Sequence, residues 1–125
     1  MNYDFSNITI LIAEDEKLNR FFLKELFRQT NANLIMAENG KEAVEHVENN
    51  PAIKIALLDI KMPVMDGMQA AQIIRSRSAK IALIAVTAFV QELFGEEAFE
   101  ERFDAYIPKP VNSGKLFQII ESFSN

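Results

Sequence analysis

Five short strand-like runs, residues 8–13, 34–37, 53–58, 81–86 and 104–107, alternate with segments whose apolar residues recur at helical spacing. Runs that stay aliphatic at consecutive positions, as in Ile8-Thr9-Ile10-Leu11-Ile12-Ala13 and Ile81-Ala82-Leu83-Ile84-Ala85-Val86, belong to strands buried on both faces. That environment exists in a parallel sheet covered by helices. The intervening segments supply the covers. Asp15 or Glu16 can cap a first helix, in which Leu18, Phe22 and Leu26, with neighbouring Phe21, Leu23 and Phe27, recur through about Thr30. Ala43, Val44 and Val47 stripe a second helix, which stops at Asn49-Asn50-Pro51 because proline disfavours continuation. After the long loop Met62-Pro63-Val64-Met65-Asp66-Gly67, a third helix runs over roughly 68–77 with Ala70, Ala71, Ile73 and Ile74 inward. A fourth is expected from Val90 to Arg102, carrying Leu93, Phe94, Ala98 and Phe99, with Gly95 its weak point. Asn112 or Ser113 opens the last, through Leu116, Phe117, Ile119, Ile120 and Phe123.

This rhythm predicts an α/β fold: a doubly wound five-stranded parallel sheet with right-handed crossovers, a flavodoxin-like (βα)5 three-layer sandwich of strand order 2-1-3-4-5. At 125 residues it fits one domain, with a core over about 8–123. Ligands in such sheets bind outside the carboxyl ends of the strands, where strand order reverses. Here that point lies between the first and third strands.

Composition narrows the function classes. With 13 basic and 18 acidic residues the net charge is -5, which repels nucleic acid and anionic membrane unless a basic face exists. Residues 92–104 instead carry Glu92, Glu96, Glu97, Glu100, Glu101 and Asp104 against Arg102 alone, so no direct nucleic-acid contact is expected. The absence of cysteine excludes disulfides, thiolate nucleophiles and cysteine zinc sites. The start is too short and polar for a signal peptide, and no apolar run approaches the ~20 residues of a membrane span. The expected compartment is the cytoplasm.

Acids stand where such a sheet would bind a ligand. Asp59 closes the run Ile55-Ala56-Leu57-Leu58, and Glu14 and Asp15 close the first strand; a carboxylate at the mouth of a buried strand is costly unless its charge is used. Mg²⁺ needs six oxygens and commonly takes one or two carboxylates, with waters and phosphate completing its shell. Asp15 and Asp59 suit direct ligation, Glu14 suits a water-mediated role, and the Lys61 carbonyl can add an oxygen. Asp59 can then attack phosphorus as a carboxylate nucleophile. Lys109, the Thr87 hydroxyl and a backbone N–H near Ala88 are placed to take the phosphoryl oxygens. An aspartyl phosphohydrolase would want a second acid two residues beyond Asp59, where Lys61 stands.

Four segments in order carry a resemblance: Ile10-Leu11-Ile12-Ala13-Glu14-Asp15-Glu16, Leu57 through Gly67, Val86-Thr87-Ala88, and Ala105-Tyr106-Ile107-Pro108-Lys109-Pro110. Over essentially its full length the chain resembles the receiver domain of two-component response regulators. The resemblance implies a phosphoaspartate switch using Mg²⁺, for which Mn²⁺ can substitute. A histidine kinase or a histidine phosphotransfer domain would present phosphohistidine to Asp59. Thr87 would then move toward the phosphoryl group and Tyr106 turn inward, repacking the surface of the fourth helix, fifth strand and fifth helix. It also implies autocatalysed phosphorylation and dephosphorylation without turnover of other substrates, and a cis bond at Lys109-Pro110, an isomer that proline tolerates. Lys61 and Phe89 would border the path of attacking water, with the aromatic Phe89 slowing hydrolysis.

Two positions depart from the family pattern: Arg102 stands where receivers usually have glycine, and Pro108 precedes the Lys-Pro pair. Ala13 through Glu16, Asn19 and the segment 104–110 look more like receivers attached to hybrid sensor kinases, on the cytosolic side of the membrane, than like those fused to DNA-binding domains. Homodimerisation and fused domains are both compatible with the pattern. So is the rival reading, a protein-interaction module independent of phosphorylation.

Overall fold

The computed structural model describes residues 3–78, 80–88 and 97–124. Aliphatic residues on both faces of each central strand fix the layering. Strands β1 (Thr9–Ala13), β2 (Asn33–Ala37), β3 (Ile53–Asp59), β4 (Ala82–Thr87) and β5 (Ala105–Pro108) form one parallel sheet of order β2-β1-β3-β4-β5. Helices α1 (Lys17–Phe27), α2 (Gly40–Asn49), α3 (Gly67–Arg77), α4 (Glu97–Arg102) and α5 (Ser113–Phe123) connect or follow them. The doubly wound topology is the one the alternation predicts.

Side chains alternate across the strands, so each face has its own core. Leu11, Ala13, Ala56, Leu58, Leu83 and Ala85 pack with Ala43 and Val44 of α2, Ala70, Ala71 and Ile74 of α3 and Phe99 of α4. Ile10, Ile12, Ile55, Leu57, Ile84, Val86 and Ile107 face the other way, onto Leu23 and Phe27 of α1 and Leu116 and Ile120 of α5. Phe5 closes this second core from the N-terminal side. Its ring stacks among Tyr3 and Phe117, 5.5 and 5.9 Å away, while Phe117 also meets Phe27 at 5.3 Å. Among the described residues no helix is long and apolar enough to cross a membrane.

Local signals explain most boundaries. Asp66 accepts the Gln69 N–H at 2.8 Å and Gln69 returns a bond to the Asp66 N–H, a capping box that starts α3. Asn39 and Asn112 cap α2 and α5 in the simpler way. Glu16 occupies the N-cap position of α1, but its side chain makes no capping bond, contrary to the role expected for Asp15 or Glu16. The expected fourth helix is seen over Glu97–Arg102, with Phe99 buried; its earlier part, including Leu93, Phe94 and Gly95, lies outside the described residues. The fifth strand begins one residue later than expected and runs through Pro108, which sits at the end of an edge strand where a missing N–H is tolerated. The Lys109-Pro110 bond is cis.

Candidate functional site

β1 and β3 are neighbours in register, Ala13 beside Leu58, so the residues after β1 open onto the same rim as Asp59. There Glu14, Asp15 and Asp59 each offer a carboxylate oxygen, all within 4.8 Å of one another. Glu14 and Asp59 are buried, at 2% and 6% exposure, and Asp15 stands further out toward solvent. β4 and β5 bring the fourth charged group. Lys109 follows β5, its N–H donates to the Thr87 carbonyl at 3.0 Å, and its ammonium donates to Asp59 Oδ2 at 2.9 Å and Glu14 Oε1 at 3.0 Å.

This arrangement divides the two adjacent acids. Glu14 is committed on both oxygens, because Oε2 accepts the Glu16 N–H at 2.9 Å while Oε1 takes Lys109. Asp15 is the more open of the pair. A hard divalent ion such as Mg²⁺ holds oxygens at about 2.1 Å in an octahedron, which sets them roughly 3 Å apart, or 4 Å when opposite. Asp15 and Asp59 therefore need only a small closure to share one cation, with the engaged Glu14 beside them.

Burial and crowding tune the charges. Asp59 is pushed up to about 6, by burial first and by the repulsion of Glu14, against the pull of Lys109. Burial acts on Glu14 in the same sense, yet the Glu16 N–H and Lys109 together hold it below the ordinary carboxylate range. Lys109 is raised: burial opposes its charge, and the two carboxylates outweigh that. A carboxyl raised on folding favours the folded state below the usual carboxylate range and loses that advantage as pH rises through 6. In Mg²⁺-free buffer at pH 8, Asp59→Asn is accordingly expected to stabilise the protein by about 3 kcal/mol. The gain should shrink as pH falls through 6 and vanish only below about 4, where Asp59 is protonated in the folded and the unfolded chain alike. Denaturant melts of both proteins across this range check it, and a gain independent of pH would contradict the assignment.

The other expected site residues divide by position. Thr87 ends β4, fully buried, and Ala88 follows it exposed on the rim. Lys61 lines a shallow recess of about 320 Å³ with Asp15, Met62, Pro63 and Asp66. Tyr106 lies on β5 opposite Ala85, 41% exposed, its ring 6.5 Å from that of Phe99. Phe89 lies outside the described residues.

Arg20 is a residue the sequence reading missed. Its Nη1 donates to the carbonyls of Glu14 and Asp15 at 2.8 and 2.9 Å, and its Nη2 lies 3.6 Å from Glu38. A cation near the N-terminus of a helix runs against the macrodipole. That mismatch was the available signal.

Beside the acids, a cavity of about 350 Å³ opens between α1 and the loop after β5, lined by Glu14, Asn19, Phe22, Leu23, Val86 and 109–111. Leu18, Phe21 and Phe22 of α1 are 77%, 61% and 47% exposed. The helical spacing of α1 thus splits: Leu23 and Phe27 face the core, and these three face outward.

The model of the response regulator receiver domain matches residues 10–121. Hybrid signal transduction histidine kinase A of Dictyostelium discoideum is 32% identical over a 111-residue alignment that covers 85% of this chain and 5% of that protein. The chain thus spans only a small part of that curated relative. Among solved structures, response regulator TrrA from Thermotoga maritima, in complex with Mg²⁺ and BeF, superposes with a TM-score of 0.85 at 27% identity, covering 93% of this chain and 98% of that one. The receiver domain of Ssk1 from Saccharomyces cerevisiae, in co-crystal with the histidine phosphotransfer protein Ypd1, gives 0.85 at 26% identity, covering 95% and 90%.

Proposed function

This chain belongs to the response regulator receiver domain family, and from that membership we propose that it is a phosphoaspartate switch in which Asp59 accepts a phosphoryl group from a phosphohistidine. One observation carries the reading: three carboxylates gathered within 4.8 Å at the strand ends, with one lysine bonded to two of them. Asp15 and Asp59 would hold Mg²⁺ directly, the Lys61 carbonyl would contribute a further oxygen, and Glu14, its own oxygens engaged, would act through water. Bound there, the ion offsets repulsion between the anionic nucleophile and the anionic phosphoryl group. An Asp59 oxygen bonds to phosphorus as the N–P bond breaks, and the imidazole nitrogen leaves with the electron pair. Lys109 pairs with one phosphoryl oxygen, while the Thr87 hydroxyl and the Ala88 N–H donate to others.

Movement of Thr87 then frees space for Tyr106, which now stands outward, to turn in. That motion changes the face built by α4, β5 and α5. Hydrolysis of the acyl phosphate, with Lys61 beside the path of the attacking water, resets the switch. The donor is a histidine kinase or a histidine phosphotransfer domain, and the exposed Leu18, Phe21 and Phe22 beside the acidic cleft give it an apolar surface to dock on. The likeness to hybrid kinases and to the receiver seated on Ypd1 supports this partner class.

Intact-mass measurement during sustained excess of acetyl phosphate tests the proposal. Wild type is expected to gain one phosphoryl group in Mg²⁺ and none after chelation, and Asp59→Asn to gain none in either. An unmodified wild type would leave a phosphorylation-independent interaction module as the better reading.

A further inference from the structure

We propose that Arg20 is a positioning residue that aims the Asp15 carboxylate and thereby sets the strength of Mg²⁺ binding; the inference rests on the metal site proposed above. The two carbonyls that Arg20 Nη1 holds, those of Glu14 and Asp15, belong to the two peptide planes on either side of the Asp15 Cα. A peptide unit is rigid, so pinning both planes fixes φ and ψ of the residue between them and with them the direction of its Cα–Cβ bond. The preceding residue is pinned as well, since the Glu14 N–H donates to the Ala37 carbonyl at 3.0 Å. Glu38, beyond β2, lies 3.6 Å from the far end of the guanidinium, whose side chain is only 18% exposed. The acidic turn after β1 is therefore clamped from outside the cluster, through backbone, by a group that touches neither cation nor phosphoryl group.

Charge and position predict opposite signs here. Removing a cation from the neighbourhood of three carboxylates strengthens their pull on Mg²⁺ through space. Removing a clamp lets Asp15 swing away and weakens it. Groups that orient metal ligands commonly contribute tenfold or more to affinity.

Calorimetric titration with Mg²⁺ of wild type, Arg20→Ala, Arg20→Lys and Asp15→Asn separates the two. Arg20→Ala is expected to bind about tenfold more weakly, and Arg20→Lys to lie between it and wild type. In metal-free protein, the backbone amides of Asp15 and Glu16 in Arg20→Ala should exchange hydrogen faster, while those of the β3 core stay protected. Equal or tighter Mg²⁺ binding by Arg20→Ala overturns the inference; should that variant not fold, the same criterion applies to Arg20→Lys. Wild-type uptake that Asp15→Asn abolishes and Arg20→Ala leaves intact would sink this inference alone. No uptake by wild type would sink the metal site and the inference together.

Discussion

Lys109→Met in Mg²⁺-free buffer at pH 8 is expected to lose about 2–4 kcal/mol of stability, most of it recoverable by adding Mg²⁺ or by lowering the pH. The methionine keeps much of the apolar stem and removes the charge. What remains is Glu14 and Asp59, both buried, facing each other without the ammonium that now bonds to each. Breaking one partner out of a buried ion pair typically costs about 3–5 kcal/mol, and the 26% exposure of the lysine side chain lowers that cost. The pH dependence follows in sign. Asp59 already sits near 6 with the lysine present; losing that cation raises it further and removes part of what holds Glu14 low. Stability of the variant should therefore rise more steeply than wild type as pH falls from 8 toward 5.5, because the folded variant takes up protons that the unfolded chain does not. Urea melts at several pH values, with and without Mg²⁺, read this directly. A loss below about 1 kcal/mol with no pH dependence would mean that the three groups are not energetically coupled.

How much of this was legible beforehand depended on whether the signal was local. β1, β3 and β4 declared themselves because both of their faces are buried, leaving aliphatic runs with no polar alternation. Their order put the acids after β1 and β3 on one rim. The division of labour between Glu14 and Asp15 was not legible, because it depends on which carboxylate the turn directs at Lys109, a residue 95 positions later in the chain than Glu14. Nor could periodicity tell the inner Leu23 and Phe27 from the outer Leu18, Phe21 and Phe22, since all suit helical spacing and only the sheet decides which face is covered. Asp104 read as one more acid in an acidic stretch; in the fold it accepts the Leu83 N–H at 2.8 Å and the Arg75 guanidinium at 2.7 Å, tying the start of β5 to β4 and α3. Such long-range pairs leave no trace in local pattern. The Arg20 clamp is local but leaves only the faint signal of a cation in the first turn of α1, because its two acceptors are backbone carbonyls, which any residue carries.

Gly67→Ala should be the most damaging single-carbon addition on the active rim, with a cost of about 3 kcal/mol or more and loss of phosphoryl uptake in whatever remains folded. The reason is the closeness of two backbones. A Cβ at Gly67 would lie 2.2 Å from the Asp59 carbonyl oxygen, 2.9 Å from its carbonyl carbon and 3.0 Å from the Ile60 Cα. None of these atoms can rotate away as a side chain would. The Gly67 N–H also donates to the Ile60 carbonyl at 2.9 Å, so α3 starts directly against the residues that carry the phosphoacceptor. Relief requires the end of β3 to shift, which displaces Asp59 from Lys109 and Asp15, or α3 to withdraw, which breaks the Gly67 N–H bond that anchors the Ile60 carbonyl next to Asp59. Gly114→Ala is the matched control. There the nearest atom is the Asn112 side-chain oxygen at 3.2 Å, the site is the first turn of α5, and helix propensity favours alanine. Gly114→Ala should stay within about 1 kcal/mol of wild type, while Gly67→Ala should shift the urea midpoint strongly downward and give no acyl phosphate by intact mass. Normal stability and labelling of Gly67→Ala would show that the β3–α3 junction has room the geometry denies it.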